Sequence, residues 1–214
     1  MKRIVILFGA VVATVVVGAC SSDSSDGSVG GTDRGNDTGS IVTSTTTVTI
    51  PADAAFNATD VAFAQGMIPH HEQAIEMADM AAEQASSSEV IALATQIKAA
   101  QGPETDQLTA WLAEWGQDGA DGARNMGGGS DTMMMEGMMS DSDMNMMSEA
   151  SGASFDQMFV SMMLTHHRGA VAMAEQEIAD GKYAPAITMA RSIVDSQTAE
   201  IDQMNQLMSS LPAA

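Results

Sequence analysis

Phe63-Ala64-Gln65-Gly66-Met67-Ile68-Pro69-His70-His71-Glu72-Gln73-Ala74-Ile75-Glu76-Met77-Ala78 returns 96 positions later as Phe159-Val160-Ser161-Met162-Met163-Leu164-Thr165-His166-His167-Arg168-Gly169-Ala170-Val171-Ala172-Met173-Ala174. The same shift, without a gap, lays Phe63 to Leu112 on Phe159 to Met208 and matches Ile91, Ala94, Ile97, Gln101, Glu104, Asp106 and Gln107 with their own residue types. All four histidines of the chain fall inside the matched blocks. A gap-free duplication predicts two halves built on one backbone plan.

Within the first block Phe63, Met67, His70, His71, Ala74, Met77 and Ala78 recur at three-and-four spacing, which is the period of a helix with one apolar stripe. Ser86-x-x-Glu89 reads as a capping box opening a second helix, whose stripe runs Val90, Leu93, Ile97, Gln101, Glu104, Leu108, Trp111 and Trp115. The second half repeats the plan, with Ser154-x-x-Gln157 at its start, Gly181 as a stop and Pro185 in the first turn of the last helix. Two antiparallel hairpins predict an all-α four-helix bundle. The expected boundaries are residues 56–115 for hairpin one, 116–152 for a Met-rich loop and 153–211 for hairpin two, within a domain of 53–211.

Gln101 and Glu104, with their repeats Gln197 and Glu200, interrupt apolar stripes, where a carboxylate is unfavourable unless paired or bound to metal. With turns centred near Ser86 and Lys182, His70 and His166 each lie 16 residues before a turn, and positions 102 and 198 lie 16 after. Histidines and Gln/Glu pairs therefore share one height in each hairpin, as bundle-core metal sites require. Met67 and Met163 stand three and four residues before the histidines and complete a soft donor set of Met67, His70, His71, Met163, His166 and His167. The alternative is a set of core histidines hydrogen-bonded to Glu104 and Glu200. Pro69 faces Thr165 in the repeat, so the two sites need not bind equally.

Between the hairpins, Met133, Met134, Met135, Met138, Met139, Met144, Met146 and Met147 put eight thioethers in fifteen residues. Methionines on a mobile loop gain little from water and are open to oxidation. Their chemistry suits Cu(I) or Ag(I), ions that take few, soft ligands. The alternative is a loop that packs over the bundle.

Upstream, Lys2 and Arg3 precede an apolar run from Ile4 to Val17 that is too short to span a bilayer comfortably, and Val17-Gly18-Ala19-Cys20 follows it. Residues 1–19 read as a lipoprotein signal, with cleavage before an acylated Cys20. The single Cys cannot close an internal disulfide, which supports lipidation. Residues 20–52, rich in Ser, Thr, Gly and Asp, read as a disordered tether. The chain carries 8 basic and 28 acidic residues, a formal charge of −20, which excludes a duplex nucleic-acid binder and favours cationic partners.

The twin blocks Phe63-x-x-x-Met67-x-x-His70-His71-x-x-Ala74-x-x-Met77-Ala78 and Phe159-x-x-x-Met163-x-x-His166-His167-x-x-Ala170-x-x-Met173-Ala174 resemble the exported bacterial family named domain of unknown function 305, over roughly residues 53–211. The resemblance implies a ferritin-like four-helix bundle and, from some members, periplasmic copper binding and copper resistance. Carried over residue by residue, it points to Met67, His70, His71, Met163, His166 and His167. It does not extend to Glu104, Glu200 or the Met-rich insert.

The leading expectation is a lipid-anchored, extracytoplasmic protein that buffers or sequesters Cu(I) or Cu(II) without catalysis and without an organic cofactor. Its partners would be copper ions, the membrane through Cys20, and a copper transporter or oxidase, with self-association left open. A ferritin-like di-metal oxidase is the second reading, against which stands Met-x-x-His where di-iron bundles carry Glu-x-x-His. A Met-rich protein-interaction module is the third. No Ser/His/Asp arrangement, nucleotide-binding glycine loop or thiol pair is present in the sequence.

Overall fold

The computed structural model describes residues 50–117 and 136–212. The predicted signal at 1–19, Cys20, the tether as far as residue 49 and Met133, Met134 and Met135 lie outside the described residues. Among those described there are five helices and no strand: α1 (Ala58–Gln84), α2 (Ser88–Glu114), α3 (Asp141–Glu149), α4 (Gly152–Asp180) and α5 (Ala184–Ser210). The architecture is the expected all-α bundle. No described helix is long and apolar enough to cross a membrane.

Local chemistry sets the helix starts, and two of them differ from expectation. α1 opens with a full capping box in which Asn57 accepts from the N–H groups of Thr59 and Asp60, and the Asp60 carboxylate accepts from Asn57 N. α2 is capped by Ser87, whose Oγ accepts from Val90 N, rather than by Ser86. Ser86 is drawn off by a stronger acceptor, since its N–H and hydroxyl both donate to Asp156. α4 starts at Gly152, two residues before Ser154, and its N-cap Ser151 makes no side-chain cap bond. Pro69 and Pro103 sit inside α1 and α2 without ending either helix.

The insert also departs from expectation. Ser140 and Asp143 form a reciprocal capping box, and residues 141–149 fold as α3 instead of a loop. Met147 is fully buried in the core, while Met139 and Met144 pack partly buried against the same cluster. Gln84 of α1 donates to the Ser148 carbonyl at 2.7 Å and fastens the helix along the bundle. A nine-residue helix is marginal alone, so this burial is what holds it.

The hairpins are joined mainly through α1 and α4. Their caps are reciprocal. Asp156 of α4 accepts from Ser86 N, Ser87 N and Ser86 Oγ in the α1–α2 turn, and Asp60 of α1 accepts from Lys182 N and Tyr183 N in the α4–α5 turn. Asp60 and Asp156 are 96 apart, as are the turn residues they hold. Together with the contact of His70 on its own repeat, His166, this defines an approximate twofold axis through the middle of α1 and α4.

The core divides on either side of that axis. One cluster contains Met77, Leu93, Ile97, Phe155, Phe159, Met163 and Met204, and the other Phe63, Met67, Ile68, Leu108, Leu112 and Ile193. Each fully buried side chain of this kind contributes about 1.5–3 kcal/mol. The layer between the clusters is polar.

Candidate metal centre

Helical spacing delivers His70 and His71 from α1, and His166 and His167 from α4, into the middle of the bundle, where all four are fully buried. His70 and His166 meet with ring centroids 3.7 Å apart and planes tilted by 43°. Each neighbouring histidine turns toward its own hairpin. His71 Nε2 donates to Glu104 Oε2 at 2.9 Å, and His167 Nε2 donates to Glu200 Oε2 at 2.7 Å.

Those two bonds leave most of the layer's polar atoms without partners. Both ring nitrogens of His70 and of His166, Nδ1 of His71 and Nδ1 of His167 have no hydrogen-bond partner, nor do the amide atoms of Gln101 and Gln197. A buried polar atom left unpaired is unfavourable by about 1–3 kcal/mol. Core histidines hydrogen-bonded to Glu104 and Glu200 account for His71 and His167, but not for His70 and His166. With Nε2 donating to a carboxylate, a neutral imidazole presents its lone pair at Nδ1, the arrangement by which a carboxylate orients a metal-binding histidine.

The electrostatics keep His70 and His166 neutral. Burial, followed by the neighbouring His71 and His167, pushes His70 down to about 3. Burial and the same kind of crowding by His70, His167 and His71 hold His166 well below its ordinary value. Both rings therefore retain free lone pairs at neutral pH, the state a metal needs.

Among the described residues, no three His, Cys, Asp or Glu side chains group as a metal cage. Two facing imidazoles with thioethers nearby instead match a soft ion of low coordination number. Met67 and Met163 are fully buried on opposite sides of the layer, one in each core cluster. Among the described residues of the insert, Met138 and Met139 are half-buried, Met139 and Met144 pack against the core, and Met146 is 48% exposed.

The halves are unequal for a reason other than Pro69. Gln96 of α2 donates to Glu200 Oε1 at 3.0 Å, whereas its repeat position holds Ser192. The Glu200 side chain is 5% exposed and that of Glu104 is 20%.

Sequence reasoning missed three buried carboxyls. Asp60 and Asp156 would have been found by extending the 96-residue match three positions upstream of Phe63. Glu177 gave no such signal, because its counterpart is Ala81. It is buried close to Asp60, and burial first, then Asp60, push it up to about 8.

These shifts fix the pH dependence of the metal-free fold. The lowered histidines hold their stabilising contribution above the ordinary value of 6.5 and lose it as pH falls toward about 3, since the unfolded chain takes up protons first. Each contributes a slope of at most about 1.4 kcal/mol per pH unit. Glu177 acts oppositely, its contribution declining as pH rises from 4.5 through about 8. Urea unfolding of metal-free protein should therefore give maximal stability near pH 6.5, falling on both sides and steepening on the acid side below pH 4.5, where Glu177 no longer opposes the histidines. Constant stability down to pH 4.5 would contradict neutral, buried His70 and His166.

The family model described as Domain of unknown function (DUF305) matches residues 60–208. Several solved structures are similar. A DUF305 protein of Streptomyces coelicolor inferred to be secreted has 30% identity and a TM-score of 0.63, the match covering 71% of this chain and 93% of that one. A DUF305 fragment from Deinococcus radiodurans has 29% identity and a TM-score of 0.63, with 72% and 98% covered. CopM in its Cu(II)-bound form has 30% identity and a TM-score of 0.60, with 71% and 96% covered, and CopM also matches in Cu(I)-bound and Ag-bound forms. No curated protein matches the sequence.

Proposed function

We propose that this chain, which belongs to the DUF305 family, is an extracytoplasmic copper-binding protein that buffers or sequesters the metal while tethered to a membrane through acylated Cys20. The observation that carries the reading is the His70–His166 contact, in which two buried neutral imidazoles face each other with all four ring nitrogens unpartnered. Similarity to CopM, crystallised with Cu(I), Cu(II) and Ag, supports copper as the cargo. Similarity to the Streptomyces coelicolor protein, the apolar leader at Ile4 to Val17 and the Cys at its end support a place outside the cytoplasm.

In this reading His70 and His166 bind the ion and His71 and His167 stand next to it with Nδ1 unpartnered. Glu104 and Glu200 orient those two rings, and the Gln101 and Gln197 amides complete the polar wall. The acidic surface raises the local cation concentration before capture. No reaction is assigned. A copper transporter or oxidase is the partner that would receive the ion.

Anaerobic titration with Cu(I) against a chromophoric chelator tests the proposal. The chain should outcompete the chelator for at least one equivalent, and a Cys20→Ser variant should bind equally while losing membrane attachment. Binding no tighter than that of an acidic control protein would overturn the copper reading.

A further inference from the structure

The described end of the insert crosses the bundle at one place. Gly137 takes a φ of +89°, a region that favours glycine, and a Cβ there would lie 2.9 Å from Gly169 Cα and from the Thr165 carbonyl oxygen, and 3.0 Å from the His166 carbonyl oxygen. Gly169 is equally confined, because a Cβ on it would collide with the carbonyl of Glu136. On the opposite helix Gln73 clamps the same segment, its amide donating to Met139 O at 2.9 Å and accepting from Met139 N at 2.7 Å.

Gln73 and Gly169 occupy the same position of the two repeats, three residues after His70 and His166. The segment therefore lies across the approximate twofold axis, over the contact of His70 with His166. A single strand of chain cannot itself obey a twofold axis. It needs a clamp on one side and open space on the other, and Gln73 against Gly169 supplies that mismatch in an otherwise matched block.

We propose that Glu136–Met139 is the gate of the histidine layer: it closes the layer's outer mouth, and the thioether of Met139, with Met138 beside it, is the station through which a soft monovalent cation passes to His70 and His166. The identity of the cargo rests on the copper reading; the closure does not. Met139 packs partly buried against the core cluster that contains Met163, which puts a soft donor on the segment that Gln73 clamps. Among the described residues, the gate is held by the two hydrogen bonds from Gln73, the close glycine contact and the packing of Met139, few enough for local opening without unfolding the bundle.

The test uses the full metal-free chain and its Gln73→Ala, Gly169→Ala and Met139→Leu variants. Diethyl pyrocarbonate acylation, mapped by mass spectrometry, should reach His70 and His166 about tenfold faster in Gln73→Ala, as expected on losing both bonds of a local closure, with the helical circular dichroism unchanged. Gly169→Ala should act in the same direction, and if it fails to fold, Gln73→Ala decides. Unchanged acylation in Gln73→Ala would overturn the gate. Met139→Leu keeps the apolar volume, so acylation should stay at the parent rate while stopped-flow Cu(I) uptake slows about tenfold, the effect of removing one soft ligand on the path. Parent-like uptake in that variant would overturn the station. If the parent bound neither Cu(I) nor Ag(I), the station and the copper reading would fall together, while acylation would still decide the closure.

Discussion

Replacing His70 and His166 together by leucine is expected to remove the tightest Cu(I) site and, in the same protein, to raise the stability of the metal-free bundle. The two effects share one cause. Four ring nitrogens of this pair are buried without partners, and each ring is held neutral by its surroundings. Leucine fills a comparable volume and has nothing to leave unpaired, so the metal-free fold should gain about 2 kcal/mol or more. Chelator competition should show affinity lower by about 100-fold or more, since each tenfold corresponds to about 1.4 kcal/mol of lost coordination. A site that is unfavourable when empty and binds metal when filled marks function rather than packing. A double variant that lost stability as well as copper would indicate that the pair is structural.

The second large effect concerns the turns. Asp156 receives two backbone N–H groups and one hydroxyl from Ser86 and Ser87 at 2.5–3.1 Å while almost wholly buried. Asp156→Ala would leave all three donors unpaired at the junction of the hairpins. The expected loss is about 3–5 kcal/mol, comparable to breaking a buried charged network. Asp156→Asn should lose less, because an amide oxygen still accepts. Asp60→Ala should destabilise the other turn, where Asp60 accepts from Lys182 N and Tyr183 N at 3.0 and 2.8 Å, with partial relief because Glu177 loses its acidic neighbour. Urea unfolding at pH 6.5 measures all three, and a change within about 0.5 kcal/mol in Asp156→Ala, as for an ordinary surface position, would contradict the reciprocal-cap account.

What the sequence revealed followed from the period. A gap-free shift of 96 residues placed four helices and four histidines, and helix-height arithmetic set each His pair level with the Gln/Glu pair of its own hairpin, while the pairing of Glu104 with His71 and of Glu200 with His167 is seen in the structure. Local capping was harder to read. Ser86 and Ser87 are equivalent to a sequence pattern, and Asp156, 70 residues away from Ser86, decides between them by claiming Ser86. In the insert, a count of methionines does not report which way each one turns. Met147 turns into the core and Met146 does not, although they are adjacent and chemically identical. The contact of His70 with His166 was implicit in the repeat, since a residue on a twofold axis must meet its own copy, but no pairwise pattern in one helix shows where that axis lies.

The central claim is that the first copper ion goes to the histidine layer. Copper K-edge X-ray absorption of the chain loaded anaerobically with one equivalent of Cu(I) tests it most directly. The account predicts short nitrogen scattering with the multiple-scattering pattern of imidazole, lost in His70→Leu/His166→Leu. A first shell of sulfur alone, unchanged in that variant, would place the ion on the methionines of the insert and contradict it.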